Sequence, residues 1–143
     1  MTRVDFYINP SPAAAARQQL ACRIAEKAYL QQQPIYLHVA DEAQAEQLDT
    51  LLWVFRAGSF IPHCRSSDPL APVSQILIGN NEPPAMANGV LINLCDEVPA
   101  FFSRFSRVVE IVSGDEPTRQ RARQRYKFYR ERGYPLETHE LAD

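Results

Sequence analysis

The sequence predicts an α/β protein, a Rossmann-like three-layer sandwich with a mostly parallel central sheet of about five strands. Segments with strand-like alternation follow one another in turn with segments of helical period, which is the order of βαβ units. Helix-start signals, such as Ser11-Pro12 and Asp41, directly follow predicted strands. The chain has 143 residues, 45% of them hydrophobic and 22% charged, so it contains enough apolar surface for one core. We therefore expect a single domain over residues 1–143.

The first predicted pair of elements is a strand and a long helix. Residues 4–8 alternate Val, Phe and Ile with two other side chains, as a strand buried more on one side does. Ser11 supplies an N-cap hydroxyl and Pro12 suits the first helical position, so a helix should run from there to about Gln32. The residues that should face inward are Leu20, Ala21, Ile24, Ala25 and Ala28.

The second pair repeats this arrangement. Residues 35–39 form an apolar strand after Pro34. Asp41 with Gln44 three positions later resembles a capping box, which opens a helix that continues to about Trp53. Its inward residues should be Ala45, Leu48 and Leu52.

The remainder predicts a long connection, three more strands and two helices. Residues 55–72 carry a glycine and three prolines without a sustained period, which indicates an ordered loop of functional length. Apolar runs then predict strands at 73–78, 89–94 and 107–112, with a short helix at 98–105 before the last. Asp115 or Glu116 should cap a final helix, and Gly133 should end it.

The charges are unevenly distributed along the chain. The formal net charge is −2, yet residues 119–132 hold seven of the fifteen basic side chains and one of the seventeen acidic ones. The remaining positions are therefore acidic and should repel duplex DNA. A short basic stripe suits a small anionic partner such as an acidic peptide.

Sequence signals of catalysis and cofactor binding are missing. The five glycines are scattered, so neither a G-x-G-x-x-G nor a G-x-x-x-x-G-K-[ST] pattern occurs. Cys22, Cys64 and Cys95 lack zinc-ligand spacing and should be reduced thiols. The three histidines, at positions 38, 63 and 139, lie on different elements and should be satisfied or solvated. We predict no catalytic residue, no metal, no cofactor and no small-molecule substrate, and, because no apolar run approaches a bilayer span, a cytoplasmic protein without a membrane partner.

Two segments carry features that an ordinary core does not explain. Residues 52–63 place four large apolar side chains at and after a helix end, namely Trp53, Phe55, Phe60 and Ile61. One interpretation is an exposed patch for a protein partner, with Phe60 and Ile61 the stronger candidates; the alternative is that the rings cover the core beneath the loop.

The second segment is the basic helix. Its spacing puts five side chains on one face, Arg119, Arg123, Tyr126, Lys127 and Arg130, while Ala122 and Tyr129 lie on another that can pack against the sheet. Like charges at i,i+4 repel, which favours an anionic partner; the alternative is a solvated basic face.

Several short motifs together resemble a known family. They occur in the order Asp5-Phe6-Tyr7, Cys22-Arg23-Ile24-Ala25, Leu48-Asp49 with Leu52-Trp53, Ser59-Phe60-Ile61-Pro62-His63, Leu91-Ile92-Asn93-Leu94, and Arg125-Tyr126-Lys127-Phe128-Tyr129-Arg130 with Gly133-Tyr134. In this order and spacing the chain is similar to the chi subunits of the bacterial DNA polymerase III holoenzyme, over nearly its whole length.

The resemblance implies a non-catalytic accessory of the clamp-loader complex with two partners. One is the psi subunit, in a 1:1 heterodimer, and the other is the acidic C-terminal tail of single-stranded DNA-binding protein; DNA is contacted only indirectly. The matching tail-binding positions are Val112, Arg119, Arg123, Tyr126 and Lys127, where Arg119 stands at a position that a lysine can occupy. The matching psi-binding positions are Trp53, Phe60, Ile61, Pro62 and His63.

Two other functions remain as alternatives. A nucleotide-binding enzyme of Rossmann-like fold would need the phosphate loop that this chain lacks. A direct nucleic-acid-binding protein would use the basic C-terminal helix against the repulsion of the acidic remainder.

Overall fold

The computed structural model describes residues 2–11, 13–54, 62–66, 75–84, 86 and 88–140. In chain order the elements are β1 (Arg3–Ile8), α1 (Ala14–Leu30), β2 (Ile35–His38), α2 (Glu42–Val54), β3 (Cys64–Arg65), β4 (Ile76–Gly79), β5 (Val90–Asn93), a 3-10 helix (Phe102–Arg104), β6 (Arg107–Val112), α3 (Glu116–Glu131) and β7 (Leu136–Glu140). The strands form one sheet in the order β3-β4-β2-β5-β6-β1-β7, and each pairing that joins them is parallel. The predicted Rossmann-like α/β class is confirmed, with seven strands where about five were expected.

Helices cover both faces of the sheet. α1 and α2 pack on one face, where their predicted inward stripes are buried among the strand residues. α3 packs on the other face through Ala122 and Tyr129, beside the buried ring of Phe102. Helices of βαβ units run opposite to the strands, so α1, α2 and α3 all begin at the carboxyl edge of the sheet and end at its amino edge.

Most predicted helix ends are confirmed. Asp41 Oδ1 accepts a hydrogen bond from the N–H of Gln44 at 2.9 Å. Asp115 caps α3, and Gly133 follows that helix with a φ of 79°, a conformation that glycine adopts without strain. The predicted cap of α1 was wrong, because Ala13 occupies the N-cap position without a side-chain bond. The Ser11 hydroxyl instead accepts from the N–H of Ala13 at 3.3 Å, closing a local turn before the helix.

The predicted helix at 98–105 was also wrong, since only Phe102–Arg104 forms a short 3-10 helix. Phe102 and Phe105 are both buried, and their three-residue separation matches the 3-10 period. The sequence interpretation missed the edge strands β3 and β7. Residues 73 and 74 of the predicted third strand lie outside the described residues, and β4 begins at Ile76. Among the described helices, none combines the length and apolar character needed to cross a bilayer.

Candidate functional site

An open groove with a volume of about 290 Å³ lies at the carboxyl ends of β1 and β6, beside the first turns of α3. We call it the strand-end groove; its lining includes Ile8, Val112, Arg119, Arg123 and Tyr126. α1 leaves β1 across one face of the sheet, whereas α3 leaves the neighbouring β6 across the other. Open α/β sheets bind ligands where the connections of adjacent strands diverge in this way.

The start of α3 is fixed by a side-chain cap. Asp115 Oδ2 accepts hydrogen bonds from the Thr118 N–H at 3.2 Å and from the Thr118 hydroxyl at 2.7 Å. Its Oδ1 accepts from the Ser113 hydroxyl at 2.7 Å. The bonds from Thr118 and then Ser113 lower the pKa of Asp115 to about 2. The capped helix therefore presents its first basic turns in a defined orientation.

A glycine fastens this turn to the end of β1. The N–H of Gly114 donates to the Ser11 carbonyl at 3.0 Å. A Cβ on Gly114 would stand 2.1 Å from the Pro10 carbonyl oxygen. Cβ atoms in proteins essentially never come that close to another heavy atom. Glycine thus allows the backbones after β1 and β6 to touch near the start of α3.

The inner wall of the groove is apolar. Val112 and Ala122 are buried, and the half-buried ring of Tyr126 meets that of Phe6 edge to face, with centroids 5.2 Å apart. Such an edge-to-face contact holds both rings in place. The wall can therefore receive an apolar side chain of a ligand.

The outer rim carries two guanidinium groups and one carboxylate. Arg123 is exposed, and its Nη1 lies 3.1 Å from Glu116. Arg119 is half-buried, and its shielded Nε has no hydrogen-bond partner among the described residues. Glu140 lies on the far side, at the end of β7. Because the Arg123 pair is exposed, a competing carboxylate can replace Glu116 at little cost.

The structure brings together four of the five predicted tail-binding residues. Val112, Arg119, Arg123 and Tyr126 all line the strand-end groove. Lys127 does not line it; its ammonium is exposed and lies 3.8 Å from Glu131, one helical turn further on.

A buried polar network behind the groove was missed by the sequence interpretation. Arg125 Nε lies 3.0 Å from Glu110 Oε1, and Glu110 Oε2 accepts from the Tyr129 hydroxyl at 2.7 Å and from Asn93 Nδ2 at 3.0 Å. Burial raises the pKa of Glu110, and the Arg125 cation opposes that rise. The available signal was an acidic residue in the middle of the apolar strand β6.

The predicted psi-binding residues are described only in part. Trp53 is 49% exposed and the unpredicted Val54 68% exposed at the end of α2. Pro62 is exposed, whereas His63 is buried and its Nε2 lies 2.7 Å from Asp49 Oδ1. The His63 ring lies against the Trp53 ring, with centroids 4.2 Å apart, so it supports the exposed indole from behind. Phe55, Phe60 and Ile61 lie outside the described residues.

The other two histidines, His38 and His139, have different surroundings. His38 Nδ1 is buried without a hydrogen-bond partner among the described residues, and burial lowers the pKa of this imidazole. His139 lies with Glu137 and Asp5 in a group whose potential metal-ligating atoms are within 4.8 Å of one another. However, the Asp5 carboxylate already receives Arg107 Nε at 2.6 Å. A cation there would have to compete with that guanidinium.

Comparison with known proteins agrees with the sequence motifs. A family model described as "DNA polymerase III chi subunit, HolC" matches residues 1–137. The chain is 51% identical over 142 residues to a Pseudomonas aeruginosa protein named DNA polymerase III subunit chi, covering 99% of this chain and 98% of that protein. It is 31% identical over 143 residues to the Escherichia coli protein of the same name, covering 96% of this chain and 97% of that protein. A Haemophilus influenzae protein of that name is 28% identical over 137 residues, which cover 94% of each chain.

Proposed function

The chain belongs to the family of DNA polymerase III chi subunits, and from that premise we propose that it is a non-catalytic bridging subunit of the clamp-loader complex. It binds the psi subunit in a 1:1 heterodimer and separately binds the acidic C-terminal tail of single-stranded DNA-binding protein. It does so in the cytoplasm, as a single domain over residues 1–143, and contacts DNA only through these partners.

The strand-end groove carries the proposal for the tail. A peptide that ends in an apolar residue after several acidic ones presents a side chain, a terminal carboxylate and further carboxylates upstream. The groove offers Val112 and Tyr126 for the side chain, and Arg119 and Arg123 for the carboxylates. Lys127, outside the groove, is placed to attract the upstream acids at longer range.

The exposed apolar side chains at the end of α2 support the proposal for psi. Trp53 and Val54 are large, apolar and accessible, and tryptophan is a frequent anchor of protein interfaces. Phe60 and Ile61, which are also predicted to bind psi, follow in the sequence. We call the described residues Trp53, Val54 and Pro62 the apolar surface.

The placement of the two surfaces suits a bridge. The strand-end groove lies at the carboxyl edge of the sheet, whereas α2 ends at the amino edge. Two partners bound at opposite edges leave each other's surface free.

A calorimetric titration tests the tail-binding half of this proposal. The full chain is titrated with a peptide of the last ten residues of single-stranded DNA-binding protein, with the same peptide lacking its final residue, and with an oligonucleotide of equal charge. We expect micromolar binding of the complete peptide alone. Equal binding of the truncated peptide would refute capture of the terminus, and tighter binding of the oligonucleotide would favour a direct nucleic-acid-binding function.

A further inference from the structure

A second, smaller cavity lies at the carboxyl ends of β2 and β5, between the first turns of α1 and α2. Its volume is about 150 Å³, and it shares no lining residue with the strand-end groove. Val39 and Leu94, which directly follow the two strands, line its apolar side. Its polar side is lined by one cationic and three amide side chains, Arg17, Gln18, Gln44 and Gln47. We call it the Arg17 cavity.

Arg17, which lines this cavity, forms no ion pair with another described residue. Arg17 Nε is shielded from solvent and has no hydrogen-bond partner there. Burial lowers the pKa of Arg17, the neighbouring Arg125 cation lowers it further, and Asp96 and Glu110 oppose the shift. Arginine nevertheless stays charged in proteins. A partly desolvated positive charge is therefore held at this point in the fold.

The nearby carboxylates are committed to other partners. Glu110 receives Arg125 at 3.0 Å, and exposed Asp96 lies 3.7 Å from Arg121. Neither pairs with Arg17. The charge in the cavity is therefore uncompensated at short range, which is costly unless a ligand or solvent completes it.

We infer that the Arg17 cavity binds a small oxyanion, with the size of phosphate or of a carboxylate group. The Nε–H and the adjacent Nη–H of a guanidinium match two oxygens of such a group. Gln44 adds amide donors, since its oxygen already accepts from the Ala40 N–H at 3.0 Å. The volume excludes a nucleotide, whose sites are typically several hundred Å³.

The location supports an anion for a second reason. Arg17 lies in the first turn of α1, and Gln44 in that of α2. The first turn of α1 has neither a side-chain cap nor an acidic residue, so its N–H groups give this edge a positive potential, whereas Asp41 caps α2. That potential adds to the Arg17 charge and disfavours a cationic ligand.

Thermal unfolding of the full chain in a buffer free of multivalent anions tests the inference. Inorganic phosphate and acetate are added in separate series, each compared with sodium chloride at equal ionic strength. At ten times its dissociation constant, a bound oxyanion should raise the melting temperature by about 3 °C or more beyond the chloride control. The anion with the larger effect distinguishes a free phosphate from a carboxylate supplied by a partner. A rise no larger than that in chloride, for both anions, would overturn the inference.

Two substitutions assign the effect to this cavity. Arg17→Met keeps the aliphatic stem and removes the charge, so it should abolish the oxyanion response. Arg17→Lys keeps the charge without the paired donors and should weaken binding at least fivefold; it decides the question by itself if Arg17→Met does not fold. The matched control is Arg23→Met, at an exposed position of the same helix outside the lining of both the Arg17 cavity and the strand-end groove, which should respond like the native chain. An unchanged response in both Arg17 variants would refute the assignment.

Discussion

Arg125 Nε lies 3.0 Å from Glu110 Oε1, although both side chains are almost completely buried. The same carboxylate receives the Tyr129 hydroxyl and the Asn93 amide, so one buried group connects α3 with β5 and β6. Arg123 and Tyr126 flank Arg125 on the same helix. The network therefore sets the position of the residues that form the strand-end groove.

Replacing Arg125 with methionine should lower the free energy of unfolding by about 3 kcal/mol or more. The methionine fills a similar volume but leaves the Glu110 carboxylate buried without its cation, which is the costly way to break such a pair. Urea denaturation measures the change.

Two further variants separate charge from packing. Arg125→Met combined with Glu110→Gln should recover part of the loss, because the neutral amide removes the unpaired buried charge while its oxygen can still accept from Tyr129 and Asn93. Arg123→Met, on the exposed side of the same helix, should change stability by less than about 0.5 kcal/mol. A loss at Arg125 no larger than that at Arg123 would show that the buried pair does not fix α3.

The cap of α3 predicts a specific dependence of stability on pH. Asp115 has a folded pKa of about 2 against an ordinary value of 3.8, so its contribution is fully present above about pH 4. It is lost as the pH falls toward 2, because the Asp115 carboxylate is then protonated in the folded state as well as in the unfolded state. Asp115→Asn keeps a capping oxygen but cannot titrate.

Urea titrations of both proteins at a series of pH values measure this effect. Taking the difference between them isolates Asp115 from other titrating groups. We expect the difference in free energy of unfolding between the native chain and Asp115→Asn to be constant above pH 4 and to decrease toward pH 2. A gap that stays constant over the whole range would mean that this cap does not depend on charge.

Local patterns in the sequence predicted the parts of the fold that local physics determines. The stripe from Leu20 to Ala28 was readable because a helix repeats every 3.6 residues. The caps at Asp41 and Asp115 were readable because a side chain bonds a backbone group three residues away. β7 was not readable, since four of its five residues are polar and its strand conformation depends on pairing with β1.

The site was predictable to a similar extent. Arg119, Arg123 and Tyr126 share a helix face, so periodicity was enough to group them. The Glu110–Arg125 pair joins residues fifteen positions apart through tertiary packing, and no local rule predicts it. Lys127 shares the stripe of Arg123, but it does not line the groove, and its exposed ammonium lies 3.8 Å from Glu131 on the next turn of the helix.

Gly114→Ala should affect both stability and tail binding. A Cβ at this position would meet the Pro10 carbonyl at 2.1 Å, and backbone cannot yield as a flexible side chain does. We expect a loss of about 2 kcal/mol in the free energy of unfolding, together with weaker binding of the tail peptide, because α3 must move away from the end of β1. Denaturation and calorimetry measure the two effects.

The matched control is Gly133→Ala, after the other end of α3. That glycine has open space around it but a φ of 79°, so the substitution should cost about 1 kcal/mol through backbone strain. It should leave the peptide affinity unchanged. If Gly114→Ala binds the peptide as tightly as native protein does, the contact between the two turns does not shape the groove.

Arg123→Ala should weaken the tail peptide about tenfold, or roughly 1.4 kcal/mol, since it removes a charge-assisted contact at the rim. Lys127→Ala should weaken it less than about threefold, because Lys127 lies outside the groove and acts through a screened field. Calorimetry at two salt concentrations measures both, and native affinity should fall as salt rises. Arg123→Ala with native affinity would place the tail elsewhere.

The proposed bridge makes one prediction about both surfaces at once. Trp53→Ala and Phe60→Ala should each weaken psi binding by about 2 kcal/mol, as loss of an interface anchor does, while the tail peptide binds both variants as it binds the native chain. Arg123→Ala is the matched control and should bind psi normally.

Saturating the groove with tail peptide should leave the psi affinity unchanged, because α2 ends at the edge of the sheet opposite the groove. Calorimetric titration of psi into the chain, with and without peptide, measures all of these. Native psi affinity in both aromatic variants would remove the apolar surface from the interface, and displacement of psi by the peptide would mean that the two partners compete for one surface instead of being bridged.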